Sequence, residues 1–352
     1  MEMGKQQKEL LHTLQNIFRH KTIMNILVTG DSGFIGTYLS KQLIENGFSV
    51  FGLDINPEKK YSVRYNFLVG NILDEEVVNR SMENIDCVIH LAAEHKDFGI
   101  TKEQYFLVNE RGMEVLLRCA SKNNIKKFIF YSSVAVYGDN QPSTEATEPN
   151  PNNYYGASKL AAEKVLKNWY NEDTSREIVV IRPAVVFGPL NRANIYKLIK
   201  QVCDGSFIWV GNGSNIKSIA YVENVVGATI FQLKKMQSGF EIFNYADTPH
   251  YTTRELVALI AKKANVNIPQ MHLPYPLAIF AASFIDVIGK ITKYDFPITA
   301  KRIEKFNTST QHFAEKIKAE GFVPPITLEE GIEKTIHWIK TDKNSTIEAS
   351  SE

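Results

Sequence analysis

The run Gly30-Asp31-Ser32-Gly33-Phe34-Ile35-Gly36 comes directly after the apolar segment Asn25-Ile26-Leu27-Val28-Thr29 and constrains this chain more than any other feature. A buried strand that ends in closely spaced glycines and opens a helix can wrap a dinucleotide pyrophosphate. The glycines allow a tight turn and close backbone approach, and the helix N-terminus offers free N–H groups and a positive dipole end. The middle glycine sits one place later than in the commoner G-x-G-x-x-G, and turn glycines with no ligand are the alternative. The next strand favours a nucleotide. After a helix over Thr37–Asn46 comes Ser49-Val50-Phe51-Gly52-Leu53, ending in Asp54. That carboxylate lies roughly 20 residues beyond the glycines, where it can accept hydrogen bonds from the adenosine ribose hydroxyls. Like-charge repulsion there disfavours the extra phosphate of NADP, so NAD is the expected cofactor.

Strand-like and helical runs go on alternating. Further strands are expected at Asn66–Val69, Cys87–Leu91, Phe128–Tyr131 and Ile178–Ile181, with helices at Glu75–Met82, Glu103–Lys122 and Tyr155–Tyr170. This pattern predicts an α/β fold: a Rossmann-type, doubly wound parallel sheet with ligands beyond the carboxyl ends of its strands. The second half has fewer clean strands and reads as a smaller C-terminal α/β substrate lobe. The expected organisation is an N-terminal extension over 1–23, a cofactor domain over 24–182, a substrate lobe over 183–340 interleaved with the sheet, and a flexible tail over 341–352. Residues 1–23 are either upstream of a start at Met24 or a surface helix; no apolar core of signal-peptide length occurs in them.

The charge is nearly balanced, 40 basic against 39 acidic side chains, for a formal net charge of +1. No long-range field steers nucleic acid, and that class is set aside. Cys87, Cys119 and Cys203 are scattered and odd in number, which fits a reducing cytoplasm and neither a disulfide framework nor a metal site. Leu277 to Ile288 is almost wholly apolar but too short to span a bilayer. It is either a buried helix or a membrane-surface or partner-binding one, and Lys290 and Lys293 just beyond would suit anionic headgroups.

Tyr155-Gly156-Ala157-Ser158-Lys159 carries the chemistry. Four residues apart on a helix, the Lys159 ammonium and the Tyr155 hydroxyl share a face. A phenol ordinarily titrates at about 10, and a nearby cation favours its phenolate, which makes Tyr155 a usable acid–base for alcohol–ketone interconversion. Ser133, after the strand that ends in Tyr131-Ser132, can hydrogen-bond the same substrate oxygen. Glu94-His95-Lys96-Asp97 comes after the fourth strand; His95 is a surface-loop histidine or a substrate contact.

Taken in order, these elements resemble the extended short-chain dehydrogenase/reductase family, in its nucleotide-sugar epimerase/dehydratase branch. The resemblance covers Met24 to Lys340. It rests on Thr29-Gly30-x-x-Gly33-Phe34-Ile35-Gly36, Asp54, Gly70-Asn71-Ile72-Leu73-Asp74, His90-Leu91-Ala92-Ala93, Asn109, Ser132-Ser133-Val134-Ala135-Val136-Tyr137-Gly138, Tyr155-x-x-x-Lys159 and Arg182-Pro183. It implies Tyr155 as general acid–base, Lys159 as its electrostatic partner and nicotinamide-ribose ligand, and Ser133 as ligand of the substrate oxygen. It implies a cofactor site of Gly30, Gly33, Phe34, Ile35, Gly36, Asp54, Asn71, Ile72, Leu91, Ala92, Ala93, Asn109, Ser132 and Pro183, with Tyr155 and Lys159. Asn109 either holds neighbouring backbone or is a plain helix-interior residue.

Relatives that dehydrate a sugar place Asp-Glu after the catalytic hydroxyl residue; here Val134 and Ala135 stand there, and neither can serve as acid or base. Reversible hydride chemistry at a carbinol remains. The resemblance implies C4 epimerisation of a UDP-hexose or UDP-N-acetylhexosamine in polysaccharide biosynthesis, by a homodimer formed through Glu103–Lys122 and Tyr155–Tyr170. Lys217 and Arg302 are the diphosphate candidates, Lys217 where many relatives carry Arg, and Arg302 equally readable as a solvated side chain. Val185 replaces an Asn common in nucleotide-sugar enzymes, which keeps open a keto-sugar reductase or a 3β-hydroxysteroid-dehydrogenase-like enzyme. A catalytically silent NAD-binding scaffold is a further alternative.

Overall fold

The computed structural model describes residues 23–57, 65–96, 99–268, 270–292 and 300–348, so the expected N-terminal extension lies outside it but for Ile23. The first half alternates as its apolar pattern requires. In order come β1 (Asn25–Thr29), α1 (Phe34–Glu45), β2 (Ser49–Asp54), β3 (Asn66–Val69), α2 (Glu75–Ser81), β4 (Cys87–His90) and α3 (Lys102–Phe106). A π turn over Leu107–Arg111 leads to α4 (Gly112–Lys122), β5 (Lys127–Tyr131), α5 (Tyr154–Glu172) and β6 (Glu177–Pro183).

The second half supplies β7 (Val185–Phe187), α6 (Asn194–Cys203), β8 (Trp209–Val210), β9 (Ile216–Lys217), β10 (Ile219–Tyr221), α7 (Val222–Lys235) and β11 (Gly239–Tyr245). It continues with β12 (Tyr251–Thr252), α8 (Thr253–Ala264), β13 (His272–Leu273), α9 (Tyr275–Thr292), α10 (Ala300–Asn307), α11 (Glu315–Ala319) and α12 (Leu328–Glu348).

Among the described residues the main sheet has seven strands in the order β11-β6-β5-β4-β1-β2-β3. Every neighbouring pair is parallel. Side chains alternate across a strand, and the sequence sorts them onto two cores. Ile26, Val28, Ile89, Ile129, Val179 and Ile181 enter one; Leu27, Val88, Phe128, Phe130, Ile178 and Val180 enter the other. The first core meets α1 through Leu39 and Leu43 and runs on to Trp209, Leu256 and Ile336 of the second half. The second meets α4 and α5 through Leu116, Leu166 and Trp169. Strand order reverses at β1, which pairs with both β2 and β4, and that reversal opens a crevice at the carboxyl ends of the strands.

Two expectations need correction. The helix expected over Glu103–Lys122 is interrupted by a π turn at Leu107–Arg111. The tail expected from Thr341 is helical to Glu348, because α12 is anchored by Ile332, Ile336 and Ile339 and by an ion pair of Arg192 with Asp342 at 2.7 Å. Over Leu277–Ile288, where the sequence leaves a buried and a surface helix open, Leu277 is 57% and Phe280 65% exposed, while Ala278 and Ala282 are buried.

Candidate active site

The glycine run is shaped by steric necessity. Gly30 has φ +73°, and a Cβ there would stand 2.5 Å from the Ala92 nitrogen. At Gly36 a Cβ would fall 2.4 Å from the Gly30 carbonyl oxygen. The first turn of α1 is thereby pressed against the end of β1. Its N-cap, Gly33, supplies no side-chain hydrogen bond, and no acid lies in the first turn. The free N–H groups and dipole of α1 are therefore left for an anion from outside the helix.

Asp54 ends β2 beside this turn. Its carboxylate accepts the Ser32 N–H at 3.0 Å and the Asn56 N–H at 2.8 Å, which fixes its orientation while leaving lone pairs for ribose hydroxyls. A cradle that any Cβ would fill, an uncapped helix start and an anchored carboxylate together fit NAD.

Asp31 was not signalled by spacing. It is 1% exposed and accepts hydrogen bonds from the Ser40 and Tyr65 hydroxyls. It occupies the space left by Gly52, where a Cβ would come within 2.3 Å of its Oδ2. Burial and the Asp31 carboxylate push the Tyr65 phenol well above its ordinary range. Tyr65 lies 34 positions along the chain, so no local pattern announces the pair.

The remaining cofactor candidates lie along the strand ends. Asn71 makes a turn by accepting the Leu73 N–H at 3.0 Å. Ile72 is 5% exposed and packs on Gly112, so its side chain belongs to the core. The Leu91 and Ala92 N–H groups both donate to the Thr29 carbonyl, holding the Leu91–Ala93 segment against β1. The π turn rotates Asn109 inward. Its Oδ1 accepts the Glu94 N–H at 2.9 Å, and its Nδ2 donates to the Glu94 carbonyl at 3.1 Å and the Ser158 hydroxyl at 2.8 Å. One buried amide thus pins the segment after β4 to α5, and π turns recur at such functional positions.

Tyr155 and Lys159 lie one turn apart on α5, whose N-cap Asn153 accepts the Gly156 N–H at 2.9 Å. Tyr155 is half-buried beside the Tyr105 ring. Lys159 is 3% exposed; its Nζ donates to the Tyr131 carbonyl at 2.7 Å and lies 4.8 Å from the Phe130 ring centroid. Burial lowers its pKa to about 7, and the Glu163 carboxylate opposes that fall. His90 beneath it is held neutral, well below its usual range, by burial and then by the charge of Lys159. His90 Nδ1 is 2.7 Å from the Thr29 hydroxyl.

Ser133, at the end of β5, accepts the Ala135 N–H at 3.1 Å and stands half-buried at the strand's carboxyl edge. Its neighbour Ser132 is buried and donates to Glu163. Arg182 forks onto the same carboxylate, with Nε at 2.9 Å from Oε1, and also donates to the Tyr137 hydroxyl at 2.8 Å. Tyr137 in turn donates to Asn244 Oδ1 at 2.8 Å. This buried network ties α5 to β6 and β11. Glu163 completes a stripe with Tyr155 and Lys159 at intervals of four, a spacing that could have singled it out in the sequence. Pro183 ends β6 at the same edge of the sheet.

The substrate candidates come from separate elements. His95 is exposed and, with Phe34, Leu190–Arg192, Trp338 and Asp342, lines a cleft of about 520 Å³ beside the start of α1. Lys217 sits on β9, its Nζ donating to the Thr308 carbonyl at 2.6 Å. Arg302 lies on α10, and its side chain is outside the described residues. Val134 and Ala135 occupy the turn after Ser133 with no ionisable group.

A parallel sheet with a switch-point crevice, an uncapped helix facing it and a Tyr–Lys pair on the next strand's helix define a nicotinamide-dinucleotide enzyme acting on carbinols. The chain belongs to the NAD dependent epimerase/dehydratase family, whose pattern it matches over residues 26–246. It is 39% identical over 318 residues to an N-acetyl-α-D-glucosaminyl-diphospho-ditrans,octacis-undecaprenol 4-epimerase of Escherichia coli O157:H7, covering 89% of this chain and 95% of that enzyme. A decarboxylating sterol-4-α-carboxylate 3-dehydrogenase of Mus musculus is 25% identical over 337 residues, 90% of this chain and 92% of that one. The crystal structure of a Thermotoga maritima UDP-glucose 4-epimerase with UDP-glucose superposes with a TM-score of 0.72 at 26% identity, covering 91% of this chain and 99% of that one. NAD is the cofactor of this protein, and its activity is of the epimerase or oxidoreductase type.

Proposed function

We propose that this protein is a C4 epimerase of an N-acetylhexosamine carried on a diphosphate, the diphosphate being that of a UDP-sugar or of a polyprenol. The observation that carries the reading is the site around Ser133 and Tyr155: a complete carbinol acid–base set, then the inert Val134 and Ala135, which leaves hydride removal and return as its chemistry. The full-length likeness to a 4-epimerase of an N-acetylglucosaminyl diphosphate supports that sugar.

Gly30, Gly33, Phe34, Ile35, Gly36 and Asp54 would hold NAD at its pyrophosphate and adenosine ribose, and Lys159 at the nicotinamide ribose. When bound, NAD supplies reversible hydride acceptance. The protein's own residues do the rest. Ser133 hydrogen-bonds the C4 oxygen and orients it; Tyr155 takes the hydroxyl proton as the carbinol is oxidised and returns it when the opposite face is reduced. The Lys159 ammonium lowers the cost of the phenolate that Tyr155 is before it takes that proton and becomes again once it has returned it. Arg182, Glu163 and Ser132 hold the helix bearing both groups in register with β5.

A single-step carbinol dehydrogenase is the second reading, favoured by the apolar Val185, which is 44% exposed where a polar sugar contact would be expected. Homodimer formation is also proposed, with exposed Leu107 on the π turn and Tyr154 on α5 as contacts, and the cysteine pattern supports a cytoplasmic location. The deciding experiment incubates purified protein with UDP-N-acetylglucosamine and, separately, with polyprenyl-diphospho-N-acetylglucosamine, adding no nicotinamide, and monitors C4 by NMR. Interconversion of the C4 epimers is expected from at least one donor, and which one identifies the carrier. Turnover seen only with stoichiometric NAD(P)H and a ketone would replace the epimerase by a reductase.

A further inference from the structure

We infer that the segment Met271–Leu277 and the outer face of α9 dock on an anionic bilayer surface. No Asp, Glu, Lys or Arg occurs from Ala264 to Ile285, a long uncharged stretch for a protein surface. It is nevertheless outside: every residue from Met271 to Leu277 is exposed, with Met271 at 65%, Leu277 at 57% and Phe280 at 65%. Among the described side chains of this helix, Ala278 and Ala282, one turn apart, are the buried ones at 1% each, while Leu277 and Phe280 face out. An exposed apolar face on this scale marks an interaction surface. Among the described residues no helix is long and apolar enough to cross a membrane, so an interfacial posture is the one available.

Charge chooses the occupant. From Asp286 to Asn307 the sequence carries Lys290, Lys293, Lys301, Arg302 and Lys305 against Asp286, Asp295 and Glu304, a basic surplus directly after the apolar stretch. Apolar insertion beside Lys and Arg is the pattern that binds anionic headgroups, whereas a contact with a second copy of this chain would set that surplus against itself.

The location is also informative. β13 pairs with β8, and the His272 ring stacks on Trp209 with centroids 5.8 Å apart. The carbonyl of Thr308, just past α10, accepts from Lys217, the diphosphate candidate. A docked α9 therefore places the diphosphate end of the site near headgroup level, where a polyprenyl diphosphate would present its sugar. That last step rests on the epimerase reading; the docking itself does not.

The test is co-sedimentation of the full chain with phosphatidylethanolamine vesicles, with and without phosphatidylglycerol. Binding is expected to need phosphatidylglycerol and to weaken at high salt. The double variant Leu277→Ser/Phe280→Ser should bind at least about tenfold less while turning over its sugar donor in solution unchanged. A single Phe280→Trp variant gives a second readout, quenching of its fluorescence by brominated phosphatidylglycerol. Absence of wild-type sedimentation, equal sedimentation of the double variant, or a wild-type dimer that the variant splits without any vesicle binding would each overturn the inference. A failed epimerase assay would leave these readouts untouched, so the two ideas fail separately.

Discussion

The turn after β1 and the segment leading into α9 are built on opposite terms. Around Gly30 the backbone is so crowded that one methyl group would collide with Ala92, and the nearby acids are held by named donors. Around Leu277 the strands are two residues long, Leu277 and Phe280 are exposed, and among the described side chains of α9 the buried ones are two alanines. The first region must present one fixed arrangement of N–H groups to one fixed cofactor, and close packing is what fixes it. The second tolerates loose packing because the surface it meets is deformable or variable. Rigidity is concentrated where the chemistry repeats identically, and exposed apolar area where the partner is broad.

Substitutions in each region test the contrast. Tyr155→Phe should lower epimerisation on the order of a thousandfold with NAD content unchanged, measured by NMR turnover and by extraction of the nucleotide. Comparable activity would remove Tyr155 from the mechanism. Lys159→Met should cost roughly a hundredfold in turnover and yet stabilise the fold. In the folded protein Lys159 binds its proton only below about 7, whereas the unfolded chain holds it to its ordinary, higher pKa. The unfolded state thus binds more protons between those values, so wild-type stability rises with pH across that window and the penalty is greatest below pH 7. Thermal melts should show the variant's gain largest at pH 6 and shrinking toward pH 10; a gain that is flat with pH would show that the burial of charge is not its cause.

Gly30→Ala tests the crowded region directly. Strain at positive φ and the collision with Ala92 should cost about 2 kcal/mol or more and empty the protein of NAD, as read by denaturant melts and nucleotide content. By contrast Leu277→Ser/Phe280→Ser should leave the melt nearly unchanged, and an equal loss in both would erase the distinction drawn between the regions. Asp54→Ala should have the smallest effect, weakening NAD about tenfold and relaxing discrimination against NADP in titrations of both. An unchanged preference would pass that role to another residue near the ribose.

Several details are legible before folding and others are not. Ile26, Val88 and Phe128 read as strand residues because continuous apolar runs bounded by turns suit strands buried on both faces. β11 gives no such signal: Gly239–Tyr245 lacks a continuous apolar run, and only its parallel register on β6 makes it the seventh strand. Asn109 can be read either as holding backbone or as filling a helix. The π turn decides, since one extra residue per turn swings the amide onto Glu94 and Ser158. Ser132 lies in the expected motif, yet its hydroxyl is committed to Glu163 within the protein. The apolar run at Leu277–Ile288 looks the same in sequence whether it is buried or exposed.

Local spacing along the chain dictates the α/β alternation, the Gly30–Gly36 turn, Asp54 at the end of its strand, and the Tyr155–Lys159 pair. Each depends on residues a few positions apart, and spacing alone sets such geometry. Packing settles that Asp31 is clasped by Tyr65, that Glu163 joins Arg182 to Ser132, and that α9 exposes Leu277 and Phe280. Those outcomes join segments far apart in the chain or depend on which face finds a neighbour. Burial, and with it the depressed pKa of Lys159, is a property of the packed whole.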